Sequence, residues 1–175
     1  MIPTERRAVA NTPYRIAMIC TGNICRSPMA EVSFRHLVAE DDLLARRVLV
    51  SSAGTAKWHV GSPMDGRARR ALDRAGFTLE GTPGAYADSQ YLDEHDLVVV
   101  MTREHLHDVH TRITNDSTDV IMLRNLIQPG LDLDVPDPYY GDDDEFDQCL
   151  GVLTAAGRRL TSEFRRRWGA DSLGA

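Results

Sequence analysis

Apolar positions along this chain follow two alternating rhythms. Short continuous apolar runs are separated by stretches in which apolar residues recur every three or four positions. The first rhythm suits buried strands and the second suits amphipathic helices. Tyr14 to Cys20, rich in Ile and Met, is the first strand-like run. Ser27-Pro28 then opens a helix, since proline is admissible in a helix's first turn. Ala30, Phe34, Leu37 and Val38 share one face of it. Val48 to Ser52 reads as a second strand. Ser62-Pro63 repeats the helix-start signal, Met64, Ala68, Ala71, Leu72 and Ala75 recur at helical spacing, and Gly76 is placed to close that helix. Leu97 to Met101 is a continuous apolar run, as a buried parallel strand requires. A short helix is predicted from Arg103 to about Thr111 and a fourth strand from Val120 to Leu123. A long loop follows, Arg124 to Gly141, of a length that in compact domains often carries function. The last helix runs from about Asp143 to Trp168, with Phe146, Leu150, Leu153, Leu160 and Phe164 as its buried stripe. Its acidic start and arginine-rich end complement the helix dipole. This alternation predicts a single α/β domain, a mostly parallel sheet flanked by helices.

Composition narrows the picture. A chain of 175 residues suits one domain and is long enough to bury a core unaided. The formal net charge of -6 argues against nucleic acid as a partner, because phosphate backbones select basic surfaces. Arginines gather at Arg67 to Arg70 and Arg165 to Arg167, and acids at Asp142 to Glu145; these read as solvated faces and dipole complements. No apolar run approaches the ~20 residues of a membrane helix, so no membrane partner is expected. Met1 to Pro13 is polar and lacks the apolar core of a signal peptide. The expectation is a loose leader over 1–13, a domain over 14–168, a flexible tail over 169–175, and a cytoplasmic protein. Three cysteines cannot all pair, so a disulfide framework is not expected. In a reducing compartment a cysteine is explained by packing or by chemistry.

The chemistry points to Cys20-Thr21-Gly22-Asn23-Ile24-Cys25-Arg26-Ser27, which joins a buried strand to a helix. A helix N-terminus presents free N–H groups and partial positive charge. Gly22 and Asn23 tolerate unusual backbone angles. A loop of this length can curl so that successive N–H groups surround a tetrahedral anion. In open parallel sheets, ligands bind at this edge, beyond the strand C-termini. The same surroundings favour the nucleophilic thiolate form of a cysteine such as Cys20. Arg26 offers a planar fork for two phosphate oxygens. Ser27 is placed to donate its hydroxyl to the thiolate. A bland reading stands beside this one: a strand-end cysteine is usually a small hydrophobe, and an arginine after a turn is usually solvated.

The segment Ile19 to Glu31, with C-x5-R-S-P at its centre, resembles the signature of the low-molecular-weight protein tyrosine phosphatases. Asp137-Pro138-Tyr139-Tyr140-Gly141 resembles that family's general-acid loop, and Ser52-Ala53-Gly54-Thr55, with Trp58 and Gly61 downstream, is a third mark. The resemblance spans about Tyr14 to Trp168. It implies a four-stranded parallel sheet with Cys20 as nucleophile, Arg26 as phosphate clamp and Asp137 as general acid. Thr21, Gly22, Asn23, Ile24, Cys25 and Ser27 would form the phosphate loop, and Trp58, Tyr139 and Tyr140 the cleft rim. The activity implied is hydrolysis of phosphotyrosine in proteins, releasing inorganic phosphate, without metal or cofactor. The residue matching Cys25 sits close to the nucleophile in this family, so oxidation would bridge Cys20 and Cys25; its other reading is loop packing.

Two positions depart from the pattern. Gly81 stands where the family often has a histidine supporting the phosphate loop, and Met101-Thr102 where it often has an Asp. Cys149 reads as core, His105, His107 and His110 as one exposed short helix, and His59 as a loop residue; the six histidines show no metal-ligand cluster. Two other functions share the anion loop. A thioredoxin-coupled arsenate reductase needs further cysteines beyond mid-chain to relay a disulfide, where this chain has only Cys149. A non-catalytic phosphopeptide binder or redox sensor would keep the anion loop but could lose the acid or the nucleophile; Cys20, Arg26 and Asp137 are all present, which argues against it.

Overall fold

The computed structural model describes residues 12–78 and 80–171. The four strands are β1 (Tyr14–Cys20), β2 (Val48–Gly54), β3 (Leu97–Val100) and β4 (Asp119–Met122). They form one parallel sheet in the order β2-β1-β3-β4. The helices are α1 (Arg26–Ala39), α2 (Asp42–Ala45), α3 (Gly66–Arg74), α4 (Ser89–Asp93), α5 (Arg103–His110) and α6 (Asp143–Asp171), and a 3₁₀ turn spans Leu123–Leu126.

The alternation of side chains along a strand builds two cores. Ile16, Met18 and Cys20 of β1, with Leu97 and Val99 of β3, pack on one face against Phe34 of α1 and Phe146, Leu153 and Phe164 of α6. Ala17, Ile19, Val98 and Val100 face the other way, against Leu92 of α4 and Val109 of α5. Strands covered on both faces need apolar residues at every covered position, which is why β1 from Ile16 onward and the whole of β3 read as unbroken apolar runs.

Element existence matches expectation; several boundaries and two short helices do not. The second strand extends to Gly54, and the last helix runs to Asp171, three residues past its predicted end. Of the expected leader over 1–13 and tail over 169–175, residues 1–11 and 172–175 lie outside the described residues, and 169–171 belong to the last helix. The predicted start of α3 at Ser62-Pro63 is corrected to Gly66. Pro63 disfavours helical geometry in the residue before it, and Ser62 is held by a bond from Gly84 N–H to its carbonyl. The cap is Asp65, whose carboxylate accepts from Arg67 N–H. Two single-turn helices, α2 and α4, were not anticipated; Asp41 and Asp88 cap them. Gly76 does follow the α3 C-cap with φ +80°, as the closing position requires.

The order of strands sets the site. From β1 the chain passes to β2 on one side and later to β3 on the other. A crevice therefore opens at the C-terminal end of β1, the switch point of the sheet. Cys20 is the last residue of that strand.

Candidate active site

The loop from Cys20 to Arg26 is tied down through its carbonyls. Cys20 O accepts from Thr55 N–H at 2.9 Å, Thr21 O from Ala56 N–H at 3.0 Å and Ile24 O from Asp65 N–H at 2.9 Å. Among the described residues, no backbone carbonyl accepts from the N–H groups of Gly22, Asn23, Ile24 or Cys25. A loop fixed outward by its acceptors, with its donors unspent, is the arrangement an anion needs. Gly54 permits the close approach beneath it: a Cβ there would lie 2.5 Å from the Thr21 carbonyl oxygen.

Asn23 is the brace of this loop. It adopts φ +55°, the left-handed conformation Asn tolerates. Its Nδ2 donates to Ser27 Oγ at 2.8 Å and to Ser52 Oγ at 2.9 Å, and its Oδ1 accepts from Ala85 N–H at 2.8 Å. Ser52 in turn donates to the buried carboxylate of Glu31 at 2.6 Å, which also accepts from Thr82 Oγ1 at 2.9 Å. The side chains of Asn23 and Ser27 are buried behind the loop, and neither residue lines the cleft. Ser27 Oγ lies 2.9 Å from Cys20 Sγ. Because Asn23 donates into the Ser27 oxygen, the Ser27 hydrogen has two acceptors in reach, Cys20 Sγ and, at 3.4 Å, the Ala53 carbonyl, of which the sulfur is the nearer.

A cleft of about 310 Å³ opens over the loop, lined by Cys20, Thr21, Gly22, Ile24, Cys25 and Arg26. Its walls are Trp58, His59, Asp137, Tyr139 and Tyr140. Cys20 is 3% exposed at its floor, while Trp58 and Tyr140 are 77% and 96% exposed at its mouth. Arg26 is buried; its Nη1 donates to Val135 O at 3.3 Å and its Nη2 to Asp137 Oδ2 at 2.5 Å. Arg26 and Asp137, 111 residues apart in sequence, thus form one ion pair. A larger groove, of about 530 Å³, lies between α5, β4 and α6 and gathers none of the predicted site residues.

The acid loop is clasped by Arg67. That guanidinium is bidentate to Asp65, with Nε at 3.1 Å and Nη2 at 2.9 Å, and its Nη1 donates to Gly141 O at 3.1 Å. It also covers the rings of Tyr139 and Phe146, at 5.5 and 4.8 Å. Asp65 holds Ile24 O through its N–H, so the clasp runs from the phosphate loop to the acid loop. Arg70 and Arg74 extend it to Asp143 and Asp147 in the first turns of α6.

His105 corrects the sequence reading. It was expected on an exposed helix; it is buried, and its Nε2 lies 2.8 Å from Thr21 Oγ1. Burial, and then the Arg26 cation, push its pKa down to about 4, so the ring is neutral near pH 7. The clue available in sequence was Thr102, an N-cap three residues ahead that bonds His105 N–H and fixes this turn of α5. At the other departure, Gly81 lies close to Met64 and Val32, and Ala85 N–H serves the Asn23 carbonyl instead. Glu31, Ser52, His59, Asp65 and Arg67 were also missed as site residues, because their roles rest on contacts distant in sequence.

Cys25 and Cys149 are both buried. Burial and then the Asp65 carboxylate push the Cys25 thiol well above the usual thiol range. Burial pushes Cys149 up to about 12, as a core thiol. Among the described residues, no group of three or more His, Cys, Asp or Glu side chains is arranged to hold a metal ion. None of their helices is long and apolar enough to cross a membrane.

A doubly covered parallel sheet with a Cys-Arg anion loop at its switch point and an aspartate leaning over it defines a phosphatase-type site. Residues 15–169 match the family model for low molecular weight phosphotyrosine protein phosphatases. A low molecular weight protein-tyrosine-phosphatase of Streptomyces coelicolor is 40% identical over 88% of this chain and 95% of its own length. Low molecular weight protein-tyrosine phosphatase A of Mycobacterium tuberculosis is 38% identical over 82% and 87%. The crystal structure of YfkJ from Bacillus subtilis superposes with a TM-score of 0.79 at 28% identity, covering 90% of this chain and 98% of that one. The chain belongs to the low-molecular-weight protein-tyrosine-phosphatase family and is an enzyme of that class.

Proposed function

We propose that the protein hydrolyses phosphotyrosine in proteins through a cysteinyl-phosphate intermediate, without a metal ion. The observation that carries this reading is the shared cleft: Cys20 at its floor, Arg26 and Asp137 paired above it, and the loop N–H groups unspent around it. Cys20 Sγ attacks phosphorus in line as the tyrosyl oxygen departs. Charge on the equatorial oxygens falls to Arg26 and the N–H groups, which is the main catalytic task in phosphoryl transfer. Asp137 gives its proton to the leaving oxygen. In the second step the Asp137 carboxylate takes a proton from water, the resulting hydroxide displaces sulfur, and inorganic phosphate leaves. The Ser27 hydroxyl, 2.9 Å from Sγ, stabilises the departing thiolate. Before the first step the Arg26–Asp137 ion pair must be exchanged for the phosphate dianion.

The depth of Cys20 beneath exposed Trp58 and Tyr140 supports an aryl phosphate over a short phosphoserine, because only a long flat group spans the walls. Cys25 is the proposed partner of Cys20 in a protective disulfide after oxidation, a step that needs peroxide or a similar oxidant. Hydrolysis of a phosphotyrosine peptide in excess EDTA is the test. Full activity is expected, with phosphoserine peptides poor substrates. Loss in EDTA, restored by a divalent ion, would sink the mechanism; equal rates on phosphoserine would sink the depth argument.

A further inference from the structure

Thr21 follows Cys20 directly and lines the cleft. Its hydroxyl oxygen has two nitrogen neighbours, His105 Nε2 at 2.8 Å and Arg26 Nη2 at 3.5 Å. A guanidinium only donates, so Arg26 occupies one acceptor side of that oxygen. The role of His105 depends on which ring nitrogen carries its hydrogen. His105 is 2% exposed, and its Nδ1 is buried with no hydrogen-bond partner among the described residues. A hydrogen on Nδ1 would therefore be a buried donor without an acceptor, among the costliest and rarest defects in a folded protein. A hydrogen on Nε2 leaves Nδ1 only a lone pair and donates to Thr21. With both acceptor sides of its oxygen filled, Thr21 keeps its own hydrogen free for the cleft.

Resting on the phosphate-binding reading above, we infer that the Thr21 hydroxyl donates a hydrogen bond to the phosphoryl group held in this loop. His105 fixes it in that role from behind. Thr21 adds a side-chain donor to the backbone N–H groups. Donation into its oxygen by His105 and Arg26 polarises the O–H and strengthens the bond to an anion. Thr21 touches substrate and is a catalytic residue; His105 acts through it and is a positioning residue. Thr102, which caps α5 and bonds His105 N–H at 3.2 Å, sets the height of the ring.

The test is calorimetric binding of inorganic phosphate to the full chain, with kcat and KM for p-nitrophenyl phosphate. Thr21→Val keeps the shape and removes the hydroxyl; phosphate affinity and kcat/KM should fall roughly ten- to a hundredfold, the scale of one hydrogen bond to a charged group. Thr21→Ser should retain most of both. His105→Leu should reproduce the loss, His105→Gln, which restores a donor, should recover it, and Thr21→Val with His105→Leu should lose no more than Thr21→Val alone. Nitrogen-15 NMR of labelled histidine should place the hydrogen of His105 on Nε2. Circular dichroism checks folding, and Thr21→Val on the cleft wall decides the matter if the His105 variants unfold. A hydrogen on Nδ1, or unchanged phosphate affinity in Thr21→Val, overturns the inference. A wild type that binds phosphate but hydrolyses no aryl phosphate sinks the proposed chemistry and leaves this inference standing; one that binds no phosphate sinks both.

Discussion

The phosphate loop and the acid loop meet at one ion pair, yet they are built in opposite ways. Behind the phosphate loop, Asn23, Ser27, Ser52 and Glu31 form a buried chain of hydrogen bonds, and three loop carbonyls are tied to neighbouring segments. The loop carrying Asp137 has its own turn, with Asp137 Oδ1 accepting from Tyr139 N–H and Pro138 O from Gly141 N–H. From outside it is held at its base by Val135, bonded to Met101 and Arg26, at Asp137 by Arg26, and at Gly141 by Arg67. Asp137 is half exposed and Tyr140 almost wholly so. The difference fits the tasks proposed for them. Stabilising charge in a transition state demands donors fixed before the reaction, since fixed dipoles cost no reorganisation. A general acid must leave Arg26, meet a leaving oxygen and later address water, and few contacts make such a segment cheap to displace.

The sharpest way to break this comparison is at the acid. Asp137→Ala should slow turnover of phosphotyrosine by roughly 10²–10⁴-fold. The loss should shrink for p-nitrophenyl phosphate, whose leaving group needs no proton. Equal losses on both substrates would place the acid elsewhere.

Arg67→Ala comes next. Misplacing a catalytic group by about 1 Å costs up to roughly 10²-fold. Because Arg67 holds the acid loop, its loss should be larger for phenyl phosphate than for p-nitrophenyl phosphate, a weaker echo of Asp137→Ala. Asn23→Gly attacks the other loop, keeping the left-handed backbone while deleting the brace. The melting temperature should fall by the equivalent of about 1–3 kcal/mol, the cost of stranding buried polar partners. Its rate loss should be the same for both leaving groups. If Asn23→Gly and Arg67→Ala showed the same leaving-group dependence, the two loops would not be separate devices.

The smallest effect concerns pH. His105 has its pKa lowered from 6.5 to about 4, first by burial and then by Arg26. The unfolded chain therefore takes the proton first as pH falls. The stability linked to the neutral ring is full above pH 6.5 and is lost between 6.5 and about 4. His105→Gln should show a shallower fall in melting temperature across that window than the wild type. Identical slopes would show that His105 is not the titrating group.

Much of this molecule was legible because local and global preferences agree. Ile16 to Cys20 and Leu97 to Val100 are buried on both faces, so their unbroken apolar runs announced central strands. The α6 stripe from Phe146 to Phe164 follows the helical repeat. Boundaries were less legible where tertiary bonds compete with local signals, as at Ser62-Pro63, where Asp65 takes the cap. The single turns α2 and α4 lack enough residues for a periodicity to show.

The site divides along the same line. Sequence by itself determined the chemical inventory, because Cys20, Thr21, Arg26 and Ser27 lie within one strand-to-helix turn and Asp137, Tyr139 and Tyr140 within another. Local backbone geometry is enough to cluster residues so close in the chain. Only the tertiary structure decided which groups orient them. Arg26 meets Asp137 across 111 positions, Thr21 meets His105 across 84, Asn23 meets Ala85 across 62 and Arg67 meets Gly141 across 74. Those pairings are made by the sheet order, which brings the ends of β1, β2 and β3 to one edge. Hydrophobic periodicity announces that a strand is buried, but it does not say which polar side chains will stand beside that strand's end.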